Sequence, residues 1–179
     1  MDDIVKAALQ KWPNVPDCYG WLGLDARGDW YLRDDATQRQ GAFPHSKGSR
    51  IVHDKLREFI QRNYEHDAQG AWFFQNGPQR VYVALEAAPL VYGVRKKDDA
   101  DSARFQVEAH TGAQAASVAS VWMDEQGRLF LDTDLGFGVV RSLDMDAAAD
   151  AVEAGVWVPQ EMAFADMPGR FGYQLDPRP

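Results

Sequence analysis

A short pattern, Asp-x-x-Gly followed by an apolar run, occurs three times and constrains the fold more than any other feature of the sequence. The copies begin at Asp25, Asp67 and Asp124. An aspartate at the first position of a turn accepts backbone N–H bonds from the residues ahead, and the closing glycine supplies a positive φ. Apolar runs flank the first and third copies on both sides, so these two predict β-hairpins, whereas the second follows a predicted helix.

Apolar residues at helical spacing predict three helices. A short helix follows the N-terminal aspartates and is stopped by Pro13. The central helix is the clearest element, and it is predicted to begin with Ser49 as its N-cap and to continue to Tyr64, with one apolar and one charged face. A third helix is expected over residues 146–154, where Gly155 would end it.

Strands complete the predicted fold, and their short connections favour antiparallel pairing as a meander. They are expected at residues 71–75, 80–85, 90–94, 105–110, 118–123 and 128–132. The fold class is therefore α+β, with a mostly antiparallel curved sheet or pair of sheets and the central helix packed on one face. The proline-rich residues 156–179 are expected to cross the surface in irregular structure and to fray at the end.

Charge is distributed unevenly along the 179 residues. Residues 1–97 hold 14 basic and 12 acidic side chains, whereas residues 98–179 hold 5 basic and 15 acidic ones. We therefore expect an N-terminal lobe over residues 1–97 and a C-terminal lobe over residues 98–179, with the acidic stretch 97–104 as the hinge. The alternative is one compact domain in which that stretch is an exposed hairpin loop.

The net charge of −8 argues against nucleic acid as a partner, because the phosphates of a duplex would repel the chain. Cys18 is the single cysteine, so it forms no internal disulfide and suits a reducing compartment. The N-terminus lacks the basic and apolar regions of a signal peptide, and the longest near-apolar stretch, residues 87–94, is too short to span a bilayer. A cytoplasmic protein without a membrane partner is expected.

The loop before the central helix is the candidate ligand site, because a helix N-terminus with nearby cations attracts anions. Lys47 and Arg50 would supply charge, Ser49 a hydroxyl, and Gly48 room for a ligand to approach the backbone. The order Lys-Gly-Ser differs from a P-loop, so ATP or GTP is not expected. The alternative is an ordinary capped helix. The predicted ligand-binding residues are His45, Lys47, Gly48, Ser49, Arg50 and Arg80.

The titratable residues show none of the spacings that mark a known catalytic or metal site. The four histidines form no His-x-x-x-His pair, and no pair of cysteines is present for a structural zinc. No metal, cofactor or catalytic residue is therefore predicted. An enzyme of small-molecule metabolism remains the alternative, with a site assembled from residues distant in sequence, such as His45, Asp54, Glu86 and His110.

Aromatic residues concentrate in residues 72–82, beside the polar side chains Gln75, Asn76, Gln79 and Arg80. These polar groups could hold a ligand or partner at a strand end while outward aromatics stack on it. The alternative is a core hairpin whose aromatics point inward. The abundance of aromatics also allows a homodimer through an exposed apolar surface.

Four strings carry a resemblance to a known family: KWPNVP at 11–16, CYGWLGLDARG at 18–28, FIQRNY at 59–64 and FQNGPQRVYV at 74–83. They resemble an uncharacterised family of small proteobacterial proteins, and the likeness covers the first half well and residues 123–145 more loosely. The resemblance implies no activity, cofactor or site residue. The order of elements is also similar to that of a second bacterial family of unknown function, which has two small β-rich lobes.

These observations favour a non-catalytic cytosolic binding or regulatory module over an enzyme. Its partner would be another protein or a small anionic ligand bound near the start of the central helix. The sequence alone assigns no more specific function.

Overall fold

The computed structural model describes residues 1–97 and 105–179. The stretch 97–104, in which we expected a hinge or a hairpin loop, falls almost wholly outside the described residues. No helix within the described residues has the length and hydrophobicity needed to cross a membrane.

The chain divides into two compact units. Unit 1 contains Met1–Asp25, Asp29–Glu86 and Gly172–Pro179, and unit 2 contains Ala26–Gly28 and Ala87–Phe171. The division into lobes after residue 97, and its one-domain alternative, stay predictions.

Unit 1 is an α+β unit built on a six-stranded mixed sheet with the order β3-β2-β1-β6-β5-β4. Neighbouring strands are antiparallel except β1 and β6, which are parallel. Its elements are α1 Asp3–Lys11, β1 Cys18–Leu24, β2 Trp30–Leu32, α2 Asp35–Gln40, β3 Ser49–Arg50, α3 Asp54–Arg62, β4 Tyr64–His66, β5 Trp72–Asn76 and β6 Gln79–Leu85.

The central helix α3 packs on one face of this sheet, as expected, through Phe59 and Phe74, whose ring centroids lie 5.5 Å apart. Its predicted start at Ser49 is wrong. Ser49 pairs with Leu32 as part of β3, and the helix begins at Asp54. His53 is the N-cap, and its Nδ1 accepts a hydrogen bond of 3.3 Å from the Leu56 backbone N–H.

The reason for this difference is the pairing of the chain before the helix. The Ile51 N–H donates to the Trp30 carbonyl at 2.8 Å, which extends the contact between β3 and β2 and holds the backbone in an extended form. Ile51 therefore lies outside the helix although its apolar spacing matched a helical stripe. A tertiary hydrogen bond has overridden a local pattern.

Unit 2 is built on a second six-stranded mixed sheet, with the order β12-β9-β10-β11-β7-β8. The pairs β11–β7 and β12–β9 are parallel and the others antiparallel. Its elements are β7 Leu90–Lys96, β8 Phe105–Ala109, β9 Val118–Met123, β10 Leu129–Thr133, β11 Gly136–Val140, a 3-10 turn Ser142–Asp144, α4 Met145–Glu153, β12 Pro159–Glu161, a second 3-10 turn Phe164–Asp166 and α5 Met167–Phe171.

All three Asp-x-x-Gly turns join antiparallel strands. The first and third connect β1 to β2 and β9 to β10, as predicted. The second connects β4 to β5 and so is also a hairpin, because the short strand β4 follows α3 directly. In the second and third turns, Oδ1 of Asp67 and of Asp124 accepts two backbone N–H bonds of 2.8 to 3.0 Å from residues ahead.

The C-terminal residues are more ordered than we expected. They contain β12 and α5, and Met167 of α5 is fully buried. The final segment Gly172–Pro179 belongs to unit 1, where the Leu85 N–H donates to the Leu175 carbonyl at 2.7 Å. Burial of Tyr173 and Met167 supplies the hydrophobic contacts that a merely wrapped tail would lack.

Candidate functional site

An apolar groove on unit 1, with a volume of about 230 Å³, is the candidate site. It lies between α3 and the strands of the sheet face on which α3 packs. Leu56 and Ile60 line it from α3, four residues apart and so on one side of the helix. The remaining lining residues come from five other stretches of chain: Cys18, Trp21, Leu22, Leu32, Ile51, Phe74, Asn76 and Val81.

Strand register explains why side chains distant in sequence share this groove. Leu22 of β1 lies opposite Leu32 of β2, and Phe74 of β5 lies opposite Val81 of β6. Directly opposed residues of antiparallel strands point to the same side of the sheet. The helix therefore covers an apolar sheet face but leaves part of it open.

The side chains around the groove remain unusually exposed for apolar residues. Trp21 is 38 % exposed, Leu32 53 % and Leu56 42 %, and the neighbouring Val52 is 72 % exposed. Single exposed apolar residues are common, but a contiguous group around a hollow marks an interaction surface. We call Trp21, Leu32 and Leu56 the groove rim.

Cys18 supplies the thiol of the groove, and burial raises its pKa. A raised pKa keeps the thiol protonated at neutral pH, and the thiolate is the nucleophilic form. Cys18 therefore lines the groove as a small, protonated thiol.

Lys47, predicted to bind an anion, is already bound by carboxylates of unit 1. Its Nζ lies 3.0 Å from Asp25 Oδ2 and 2.8 Å from Glu86 Oε2. The Tyr31 hydroxyl also donates to Asp25 Oδ2, at 3.2 Å. Burial alone lowers the pKa of Lys47, but the hydrogen bonds and charges of Glu86 and Asp25 outweigh it, and the pKa is raised. The ammonium is neutralised by its neighbours.

The other residues of the predicted loop site do not form a helix N-terminus. Ser49 and Arg50 form β3, and the Arg50 Nε lies 3.4 Å from Asp29 Oδ1. Gly48 has φ of 86° and packs against the Leu32 carbonyl, so its conformation serves the turn into β3. The physical basis we gave for this site, free N–H groups of a helix, is therefore wrong, and ligand binding by these residues stays a prediction.

Arg80 lies far from Arg50 within the sheet. Three strand spacings separate β3 from β6, or about 14 Å. Arg50 aligns through Tyr31 and Gly23 with Ala84, which is about 13 Å along β6 from Arg80. The register therefore separates the two guanidinium groups that we expected to act together.

Two further predictions concern Arg80 and His45. The Arg80 guanidinium lies 4.7 Å from the Phe73 ring centroid. Phe73, Phe74 and Tyr82 are buried in the hairpin formed by β5 and β6, which confirms the core-hairpin alternative for these aromatics. His45 is exposed and makes no hydrogen bond or ion pair with the described residues.

Three of the four residues of the enzyme alternative are engaged in separate contacts. Asp54 pairs with Arg57, and Glu86 pairs with Lys47. In unit 2, His110 Nδ1 accepts a hydrogen bond of 3.2 Å from the Val91 N–H, and burial lowers the pKa of His110 to about 3. Across residues 1–97 and 105–179, no group of three or more His, Cys, Asp or Glu side chains could hold a metal ion.

A hollow of about 520 Å³ in unit 2 is lined by the carboxylates of Asp124, Glu125 and Glu161, and the first two have partners. Asp124 Oδ2 lies 2.6 Å from Arg128 Nε, and Glu125 accepts a bond of 2.9 Å from the Phe164 N–H. These carboxylates hold the local chain in place. The groove of unit 1 is therefore the stronger candidate for binding.

Sequence reasoning missed the groove, because its lining comes from six separate stretches of chain. It also missed Arg33, which is 4 % exposed and donates to the carbonyls of Ser46 at 3.0 Å, Gly20 at 3.3 Å and Gly41 at 2.6 Å. No local pattern distinguishes this arginine from an exposed one.

Comparisons with known proteins place the fold among proteins without an assigned function. A DUF1285 family protein from Silicibacter pomeroyi DSS-3 matches with 12 % identity and a TM-score of 0.53, over 84 % of each chain. A DUF1285 family protein from Shewanella baltica OS155 matches with 15 % identity and a TM-score of 0.48, over 73 % of this chain and 91 % of its own. Likeness at such low identity shows the fold alone.

No curated protein matches the chain. The expectation of an uncharacterised family is confirmed. The comparisons give no support to the enzyme alternative. Residues 1–178 match the DUF2944 family, described as "Protein of unknown function (DUF2946)", and the chain belongs to that family.

Proposed function

We propose that the protein is a non-catalytic binding module whose groove on unit 1 takes an apolar segment of a partner protein. The observation that carries this proposal is the exposure of Trp21, Leu32 and Leu56 around a hollow. Tryptophan is among the residues most often found at the energetic centre of protein interfaces. The cytoplasmic location expected from the single cysteine is part of the same proposal.

The size of the groove favours side chains of a protein over a free cofactor. Sites for drug-sized ligands have volumes of roughly 300–1,000 Å³. The groove, at about 230 Å³, lies below that range. Its lining contains few polar groups, of which Asn76 and Cys18 are examples, so it offers little to orient a polar metabolite.

The test is selection of peptides from a random displayed library on the intact protein, in parallel with the variant Leu56→Asp. A charged side chain at the groove rim should oppose burial of apolar residues. We expect synthetic copies of the selected peptides to bind the wild type with about micromolar affinity and Leu56→Asp at least about tenfold more weakly. Leu143→Asp is the matched control, because Leu143 is 82 % exposed, belongs to unit 2 and does not line the groove.

Equal enrichment on wild type and Leu56→Asp would contradict the proposal. The other candidate to occupy the groove is a second copy of the chain, and sedimentation velocity tests for it. A dimer that is present for wild type and lost for Leu56→Asp would identify the groove as a homodimer interface and replace the proposed partner.

A further inference from the structure

The edge of the unit 1 sheet next to the groove has backbone groups directed away from the sheet. The Ile51 N–H bonds to Trp30, and in an antiparallel pair the residues on either side of a bonded residue point their N–H and C=O outward. Those residues are Arg50 and Val52. Both are exposed, and neither the N–H nor the C=O of Val52 bonds to any described residue.

This edge and the groove are continuous. The side chain of Ile51 lines the groove while its neighbours supply the outward backbone groups. A strand added to a sheet lies about 4.8 Å from its neighbour and points alternate side chains to the same face. An added strand here would therefore direct every second side chain toward Leu32 and Leu56.

Lys55 is a cation next to this edge that is available to a partner. The other cations of residues 47–57 are paired: Lys47 with Asp25 and Glu86, Arg50 with Asp29, and Arg57 with Asp54. Lys55 is exposed and forms no ion pair within the described residues. A segment with an acidic side chain would be complementary to Lys55.

We infer that the partner segment binds as an extended strand added to the edge at residues 50–52. One of its apolar side chains enters the groove, and an acidic side chain faces Lys55. The inference rests on the proposed function and names its binding mode and partner chemistry. A helical segment has already paired its own backbone groups, so it would leave those of Arg50 and Val52 unused.

The spacing within the selected peptides is the first test. Strand addition predicts apolar residues that alternate with polar ones, together with an acidic residue. Apolar residues spaced three and four apart would show helix binding and overturn the inference while leaving the proposed function intact. If no peptide were enriched more on the wild type than on Leu56→Asp, both the inference and the proposed function would be overturned.

Backbone pairing is tested by the matched variants Val52→Pro and Val52→Ala. Proline removes the outward N–H but suits an extended edge, whereas alanine shortens the side chain and keeps the N–H. For a selected peptide, we expect Val52→Pro to weaken binding about tenfold more than Val52→Ala. If Val52→Pro and Val52→Ala bound the peptide equally well while Leu56→Asp still lost binding, strand addition would be disproved and the proposed function would stand.

The charge element is tested by Lys55→Glu against Lys97→Glu, since Lys97 is an exposed lysine of unit 2. Lys55→Glu should lower the affinity for acidic peptides and flatten its dependence on salt, and Lys97→Glu should change neither. Equal behaviour of the two variants would contradict the acidic character of the partner. Circular dichroism and the Tm of each variant confirm that it is folded.

Discussion

The two units share a strand arrangement but differ in where they place their helix. In each, a three-stranded antiparallel meander ends in a strand that runs parallel to the unit's first strand: β6 beside β1, and β11 beside β7. An Asp-x-x-Gly turn joins the first two strands of both meanders. In unit 1 the helix α3 precedes the meander, whereas in unit 2 the helix α4 follows it.

The position of the helix accompanies a difference in exposed apolar surface. In unit 1, α3 packs on β5 and leaves the groove open beside β1 and β2. In unit 2, α4 packs on β7, and the additional strand β12 extends the sheet beyond β9. Similar turns and strand pairings therefore support two different surfaces. The surface of each unit depends on the helix that packs on its sheet and on any strand added to it.

The largest expected effect contrasts Arg33, which is buried in unit 1, with Arg128, which is half-buried in unit 2. Arg33 binds three backbone carbonyls in unit 1, whereas Arg128 in unit 2 binds Asp124 and lies 4.3 Å from the Phe164 ring. Arg33→Ala leaves three acceptors without their charged donor, so we expect a loss of about 4 kcal/mol in the free energy of unfolding. Arg128→Ala should lose about 2 kcal/mol.

Chemical denaturation of both variants measures this difference. If Arg128→Ala were the more damaging, the three backbone contacts of Arg33 would contribute less than the ion pair of Arg128. Arg33→Lys is a useful second variant, because one ammonium cannot reach three acceptors in the fork geometry of a guanidinium. It should recover only part of the lost stability.

The next largest effect on stability is expected at the second and third Asp-x-x-Gly turns, which begin at Asp67 and Asp124. Asp124 Oδ2 binds the Arg128 guanidinium, whereas Asp67 Oδ2 accepts a hydrogen bond of 3.1 Å from the Tyr82 hydroxyl. Oδ1 of each aspartate also accepts backbone N–H bonds within its own turn. Asp124→Ala removes the carboxylate that pairs with the half-buried Arg128 and should cost about 3 kcal/mol, against about 2 kcal/mol for Asp67→Ala. Equal losses in thermal denaturation would show that the turn contacts dominate in both units.

His110 makes the stability of unit 2 depend on pH, because its pKa is lowered to about 3 from an ordinary 6.5. Between these values the unfolded chain binds a proton that the folded protein does not, so the free energy of unfolding falls as the pH decreases through this window. The slope from this residue approaches about 1.4 kcal/mol per pH unit.

His110→Asn keeps an acceptor for the Val91 N–H and removes the titration. Carboxylates titrate in the same range, so the measurement is the difference between wild type and variant from pH 6.5 to pH 4. The variant should show the shallower pH dependence. Parallel curves for the two proteins would mean that His110 is protonated in the folded state.

The smallest effect concerns the groove rim. Leu56→Asp and the unit 2 control Leu143→Asp should each change the free energy of unfolding by no more than about 1 kcal/mol, because both side chains are substantially exposed. A much larger loss for Leu56→Asp would indicate that Leu56 belongs to the core of unit 1. The exposed apolar surface that distinguishes the two units would then be smaller than described.

Local chemistry was predictable from the sequence, and long-range pairing was not. The Asp-x-x-Gly turns follow from contacts within five residues, so their hairpins could be predicted at Asp25 and Asp124. The α+β class and the helix over residues 146–154 follow from periodicity, and α4 at Met145–Glu153 confirms the latter. The parallel pairing of β1 with β6 joins residues about sixty positions apart and left no local signal.

The same distinction explains the candidate site. Ser49 looked like an N-cap because serine is a good one, but its backbone is committed to Leu32 of β2. Lys47 looked free because Asp25 and Glu86 lie 22 and 39 residues away. Charge, burial and exposure at this loop depend on neighbours that only the folded chain supplies.

The return of Gly172–Pro179 to unit 1 has a consequence for how the chain folds during synthesis. The N–H of Gln174 donates to the Gly70 carbonyl at 3.2 Å, and that of Leu85 to Leu175, so residues made after unit 2 bind the β4–β5 turn and the end of β6, which are made much earlier. Domains generally fold as units as the ribosome delivers them. Unit 1 therefore lacks these two hydrogen bonds until unit 2 has been translated, and its folding cannot be completed strictly in chain order.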